Sequence, residues 1–79
     1  MTPEYIKQQI EAGLPGAEVT VSGDGTHFEA LVVSDAFAGR KPLERHRMVY
    51  ATLGNQMGGA IHALSIRACT REDWQGQRQ

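Results

Sequence analysis

The chain carries three histidines, His27, His46 and His62, and one cysteine, Cys69. These are the side chains that bind transition metals or move protons near neutral pH. His62 heads the strand-like run Ile61-His62-Ala63-Leu64-Ser65-Ile66-Arg67-Ala68. In strict alternation it shares a face with Leu64, Ile66 and Ala68, so an imidazole stands at the edge of an apolar sheet face. Such a ring either hydrogen-bonds at the strand end or presents a nitrogen to a metal or a partner. His27 begins another strand-like run beside Phe28, and its ring either packs there or serves as a second ligand. Asp24, three residues earlier, offers a carboxylate, a poor donor for iron in a sulfide cluster. His46 falls on the apolar stripe of a helix and reads as a residue of the core edge. Cys69 has the opposite pleat parity from His62 and reads as a small buried hydrophobe.

Arg40, Lys41, Arg45 and Arg47 form the one basic cluster. They suit carboxylates through arginine's planar fork, or phosphates, or are simply hydrated surface. Ser22, Ser34 and Ser65 stand in strand or cap contexts, and no nucleophile and base arrangement follows from them. An enzyme is therefore not expected.

Seventy-nine residues make a single domain, 1–79, with a core over about 2–74 and a polar tail, 75–79. A chain this short has little room for a deep substrate pocket beside its core, which favours a binding or adaptor module. Eight basic and nine acidic residues leave a net charge of −1, so nucleic-acid binding would need a local patch. One cysteine excludes an internal disulfide, and the N-terminus lacks a signal-peptide pattern, so a cytoplasmic location is expected. No apolar run approaches the roughly twenty residues of a membrane span.

Punctuation divides the chain. Thr2 caps a first helix with Pro3 at its first position, and Ile6, Ile10 and Leu14 form its apolar stripe before Pro15-Gly16. Val19 and Val21 alternate with Thr20 and Ser22 in a strand, Gly23-Asp24-Gly25 turns the chain, and Phe28 to Val33 returns as the hairpin partner. Leu31-Val32-Val33 is apolar on both faces, which puts this strand in the middle of the sheet. Ser34 to Lys41 reads as a loop with a helical turn around Asp35-Ala36-Phe37. Pro42 opens the longest helix, with Leu43, His46, Tyr50, Leu53 and Met57 on one face and Gly58-Gly59 at its end. The third strand follows, in parallel pairing with the second. Thr70 and Asp73 then approximate a capping box for a last helix, with Trp74 available to pack back.

The expected fold class is α+β, ordered α-β-β-α-β-α, with a three-stranded mixed sheet and its helices on one face, as in type II K-homology folds. A nucleic-acid clamp of that kind needs a Gly-x-x-Gly loop between two helices. Gly13-Leu14-Pro15-Gly16 has the spacing but lies at a helix end, where it has a structural explanation.

The segment Val21-Ser22-Gly23-Asp24-Gly25-Thr26-His27-Phe28, the stretch from Val33 through Ser34-Asp35-Ala36-Phe37-Ala38-Gly39-Arg40-Lys41-Pro42 to Tyr50, and Ile61 to Ile66 with Thr70 to Trp74 resemble the BolA family. The likeness covers nearly the whole chain in order, and the short turn is most similar to the compact bacterial paralogues. Arg71 departs from the family's usual proline at the first position of the last helix. The resemblance implies an adaptor that pairs with a monothiol glutaredoxin and shares a bridging [2Fe-2S] cluster with it and with glutathione. It assigns a ligand role to His62, with His27 as the nearest second ligand, and leaves the isolated chain without a tightly bound cluster, as a monomer or weak homodimer. It also implies contacts from Arg40, Lys41, Arg45 and Arg47 to the partner or to glutathione. The alternative is a small DNA-binding transcriptional regulator that uses the same basic residues.

Overall fold

The computed structural model describes residues 2–24, 26–54 and 64–78. Along them run helix α1 (Pro3–Gly13), strands β1 (Glu18–Gly23) and β2 (Phe28–Val33), a 3₁₀ turn (Asp35–Phe37), helix α2 (Pro42–Leu53), strand β3 (Leu64–Cys69) and helix α3 (Arg71–Arg78). The sheet order is β1-β2-β3, with β1 and β2 antiparallel and β2 and β3 parallel. The mixed sheet expected from the sequence is thus present, with the doubly apolar strand at its centre.

Each element is set by local chemistry before packing fixes its place. Thr2 Oγ1 accepts the Tyr5 N–H at 3.1 Å and Pro3 occupies the first turn of α1, satisfying an end that has no intrahelical partners. Ile6 and Ile10 are fully buried and Leu14 packs at the edge of the core. Phe28, Ala30 and Val32 alternate inward from β2 and join Val19, Leu64, Phe37, Val49 and Leu53 with the α1 isoleucines. This core lies between one sheet face and helices α1 and α2. The two helices approach closely: a Cβ on Gly13 would stand 2.5 Å from Thr52 Cγ2.

The packed face of α2 differs from the expected stripe. Val49 and Leu53 are buried and His46, Met48 and Tyr50 half-buried, whereas Leu43 is 61% exposed. At 100° per residue Leu43 stands about 120° round the helix from Val49, the position that enters the core. The helix also ends before Gly58-Gly59. Gly54, at φ 55, donates its N–H to Tyr50 O at 3.2 Å and closes the last turn, because glycine enters the left-handed region without a Cβ penalty. Met57, Gly58 and Gly59 lie outside the described residues.

The other sheet face is partly covered. Val33 and Cys69, register partners at the ends of β2 and β3, are both buried yet stand apart from the main core cluster. The Ser34 N–H reaches Cys69 O at 2.9 Å. Helix α3 begins directly beyond, and its Trp74 ring lies under the Arg67 guanidinium at 5.8 Å from the centroid. Its capping box is complete: the Asp73 N–H donates to Thr70 Oγ1 at 3.0 Å, and the Thr70 N–H to Asp73 Oδ2 at 3.3 Å. From that start the helix continues to Arg78, so most of the stretch expected as a polar tail is helical.

Candidate functional site

The hairpin turn is built on one oxygen. Asp24 Oδ1 accepts the His27 and Thr26 N–H groups, each at 2.9 Å, and the Thr26 hydroxyl at 2.8 Å. The bond from the His27 N–H, then those from Thr26, hold the Asp24 carboxyl well below the usual carboxylate range. The Asp24 N–H closes the turn on His27 O at 3.2 Å. Asp24 thereby serves the turn, as Asx residues do, and the His27 side chain is left exposed at the sheet rim. A Cβ on Gly23 would meet His27 O at 2.5 Å, so the backbone approaches itself too closely there for any other residue.

His62 lies outside the described residues. It precedes Leu64 by two positions, and Leu64 pairs with Phe28, the residue after His27. Cys69 is buried at the opposite end of β3. His46 is half-buried on α2. Among the described residues no three His, Cys, Asp or Glu side chains gather as a metal site, and none of the helices is long and apolar enough to cross a membrane.

The basic cluster divides. Arg45 clamps three elements: Nε donates to Arg40 O at 2.9 Å, and Nη1 to Ala68 O at 3.2 Å and Asp73 Oδ2 at 3.1 Å. Its side chain is only 18% exposed. Arg40 pairs with Glu44 at 3.6 Å across one helical turn, and the same carboxylate accepts the Lys41 N–H at 3.2 Å. Lys41 and Arg47 are exposed and form no ion pair among the described residues. Arg45 is thus bonded within the fold, while Lys41 and Arg47 are exposed.

Sequence reading named the Thr70–Asp73 cap and Trp74 but missed the long-range bonds that fasten α3. Asp73 is both capping residue and Arg45's partner, and the Arg45 bond, followed by that from the Thr70 N–H, lowers its pKa. Arg71, noted only as a departure from proline, donates Nη1 to Asp35 Oδ2 at 3.0 Å and Nη2 to Gly16 O at 2.9 Å. It ties α3 to the 3₁₀ turn and to the α1–β1 connection. The capping box was a legible signal for Asp73; nothing local pairs Arg71 with a residue so distant in sequence.

Comparison with known proteins agrees with this architecture. The BolA-like protein family model matches residues 7–73. Human BolA-like protein 1 is 39% identical over 79 residues, all of this chain and 56% of that protein's length. A protein of Acinetobacter guillouiae, described as an uncharacterized protein in the rpoN-murA intergenic region, is 39% identical over 75 residues, 94% of this chain and 90% of its own. The DNA-binding transcriptional regulator BolA of Vibrio cholerae is 38% identical over 77 residues, 98% of this chain and 70% of that protein. The solved structure of a bolA protein homologue from Coxiella burnetii has a TM-score of 0.84 at 45% identity, with 95% of this chain and 97% of that one covered. By sequence and by fold alike, the chain belongs to the BolA-like family.

Proposed function

We propose that the chain is an adaptor of iron–sulfur metabolism that pairs with a monothiol glutaredoxin. In this reading His62, with His27 as second donor, supplies ring nitrogen to a [2Fe-2S] cluster whose other ligands are the glutaredoxin cysteine and a glutathione thiolate. The observation that carries it is the hairpin rim. Asp24 Oδ1 is engaged by the turn, His27 stands exposed, and the pairing of Phe28 with Leu64 brings the strand that follows His62 alongside. The donor chemistry fits. Imidazole replaces thiolate on iron in known clusters and raises their potential, whereas the Asp24 carboxylate is a poor donor with Oδ1 already committed to the turn. Cys69 is buried at the far end of β3. Two imidazoles on a small domain are too few to retain a cluster, so the thiolates must come from the partner. No catalytic role is proposed: the Ser34 hydroxyl caps the 3₁₀ turn by accepting the Ala36 N–H at 3.1 Å, and Ser22 and Ser65 are exposed strand residues.

The test is visible absorption and circular dichroism of a monothiol glutaredoxin reconstituted with iron, sulfide and glutathione, titrated with the chain and with His62→Ala and His27→Ala. The expected result is a spectral change that saturates near one to one, is lost or altered in His62→Ala, and is weakened in His27→Ala. An unperturbed spectrum with the unaltered chain would end the adaptor reading.

A second reading, a small DNA-binding regulator, is favoured by the name of the Vibrio cholerae relative. Exposed Lys41 and Arg47 are its immediate phosphate contacts. A duplex affinity that falls steeply with salt and is reduced in Lys41→Glu/Arg47→Glu is its signature.

A further inference from the structure

We propose that Asp73 occupies an anion site that Arg45 would otherwise offer to a nucleic-acid phosphate, so that the chain's own carboxylate keeps the site closed. The inference rests on the DNA-binding reading and adds a regulatory contact to it. The Arg45 guanidinium is held from behind by two carbonyls, Arg40 O on Nε and Ala68 O on Nη1. These bonds fix its orientation without neutralising its charge. Among the described residues the carboxylate that meets the charge is that of Asp73, Oδ2 at 3.1 Å. Nη2 makes no hydrogen bond among the described residues, which leaves a second donor position on a side chain that is 18% exposed. A guanidinium fixed from behind, with one fork position taken by a carboxylate and the other open, is the arrangement that accepts a phosphate in two-point contact. Arg40 and Lys41 belong to the same stretch of chain; Arg40 is paired with Glu44, and Lys41 is exposed and forms no ion pair among the described residues.

Among the described residues the Asp73 carboxylate otherwise accepts the Thr70 N–H at 3.3 Å, and its side chain is 45% exposed. Arg71 continues to tie α3 to Asp35 and Gly16 O, so the helix stays docked while the Asp73 side chain swings aside. Nucleic acid is the favoured occupant because its successive phosphates can engage Arg45 together with exposed Lys41, which forms no ion pair among the described residues.

The test is fluorescence anisotropy of a labelled duplex of about twenty base pairs over a range of potassium chloride, with the unaltered chain, Asp73→Asn, Glu72→Gln, Arg45→Gln and Arg45→Gln/Asp73→Asn. Amide spectra establish that each variant keeps the sheet and α3. Asp73→Ser, which retains an acceptor for the Thr70 N–H, is a second route to the same vacancy. Glu72→Gln removes an equal charge from the same helical turn without touching Arg45. Asp73→Asn and Asp73→Ser are expected to tighten binding about three- to tenfold and to steepen the salt slope by about one. Glu72→Gln should do far less, and the gain should vanish in the Arg45→Gln background. Equal gains from Asp73→Asn and Glu72→Gln, or a gain that survives Arg45→Gln, would overturn the masking contact and leave DNA binding standing. If no form binds duplex at low salt, the masking contact and the DNA reading fail together. A gain seen with glutaredoxin and not with duplex would assign the guanidinium to an acidic protein and overturn the proposal.

Discussion

Asp24 gathers three donors onto one oxygen, so it should remain ionised in acid that half-protonates an ordinary aspartate of pKa 3.8. Its folded pKa lies below its unfolded value. The stability it contributes is therefore in place above the unfolded value of about 3.8 and is lost progressively as the pH falls from there through the folded value. A carboxyl carbon titration by NMR reads this directly; an Asp24 midpoint at 3.8 would mean that the turn bonds do not form in solution. The core makes a second residue-scale prediction. Phe37, fully buried from a 3₁₀ turn of three residues, should cost about 3–5 kcal/mol when replaced by alanine. Exposed Leu43→Ala should stay within about 0.5 kcal/mol. Urea unfolding of the two variants decides whether α2 is rotated as described, since the stripe read from sequence would make Leu43 costly.

Helices α1 and α2 touch where glycine permits it, and α3 is attached by different means. Gly13→Ala would put a methyl 2.5 Å from Thr52 Cγ2 and 2.7 Å from its Cβ. Rotating the threonine moves only the first of these atoms, so the helices must separate. The expected loss is about 1–3 kcal/mol from overpacking, against less than about 1 kcal/mol of helix propensity gained. Thermal or urea unfolding measures the difference, and a stabilised Gly13→Ala would refute the close crossing. Helix α3, by contrast, buries no described side chain fully. It is held by the Arg45–Asp73 and Arg71–Asp35 pairs, the Gly16 O bond and the Arg67–Trp74 contact. Exposed ion pairs contribute about 0–1 kcal/mol and weaken with salt. Arg71→Ala, or high salt, should speed hydrogen exchange in α3 while the central strand stays protected. Uniform acceleration across the chain would mean that α3 unfolds only with the core.

At the scale of the molecule, a small domain leaves few donors at its rim, and the adaptor reading depends on that scarcity. The isolated chain, reconstituted with iron and sulfide alone, is expected to gain no stable cluster absorption, and to contribute to one only when glutaredoxin and glutathione are added. A coloured species that survives desalting of the chain by itself would contradict this. Much of the molecule was legible in the order of its residues. Thr2-Pro3, Gly23-Asp24, the doubly apolar Leu31-Val32-Val33 and the Thr70–Asp73 box act within a few positions of themselves, so capping, turn and strand signals alone determine the element order and the central strand. The family likeness was legible for the same reason, as residue types at fixed spacings, and it is that likeness which nominates His62 and His27 as candidate ligands. Tertiary structure alone decided how α2 is rotated, because Val49 and Leu43 differ only in what a distant sheet presents to them. It also decided the fate of the arginines. Arg45 meets Asp73 across 28 positions and Arg71 meets Asp35 across 36, and no local rule pairs charges that only the folded chain brings within 3.1 Å.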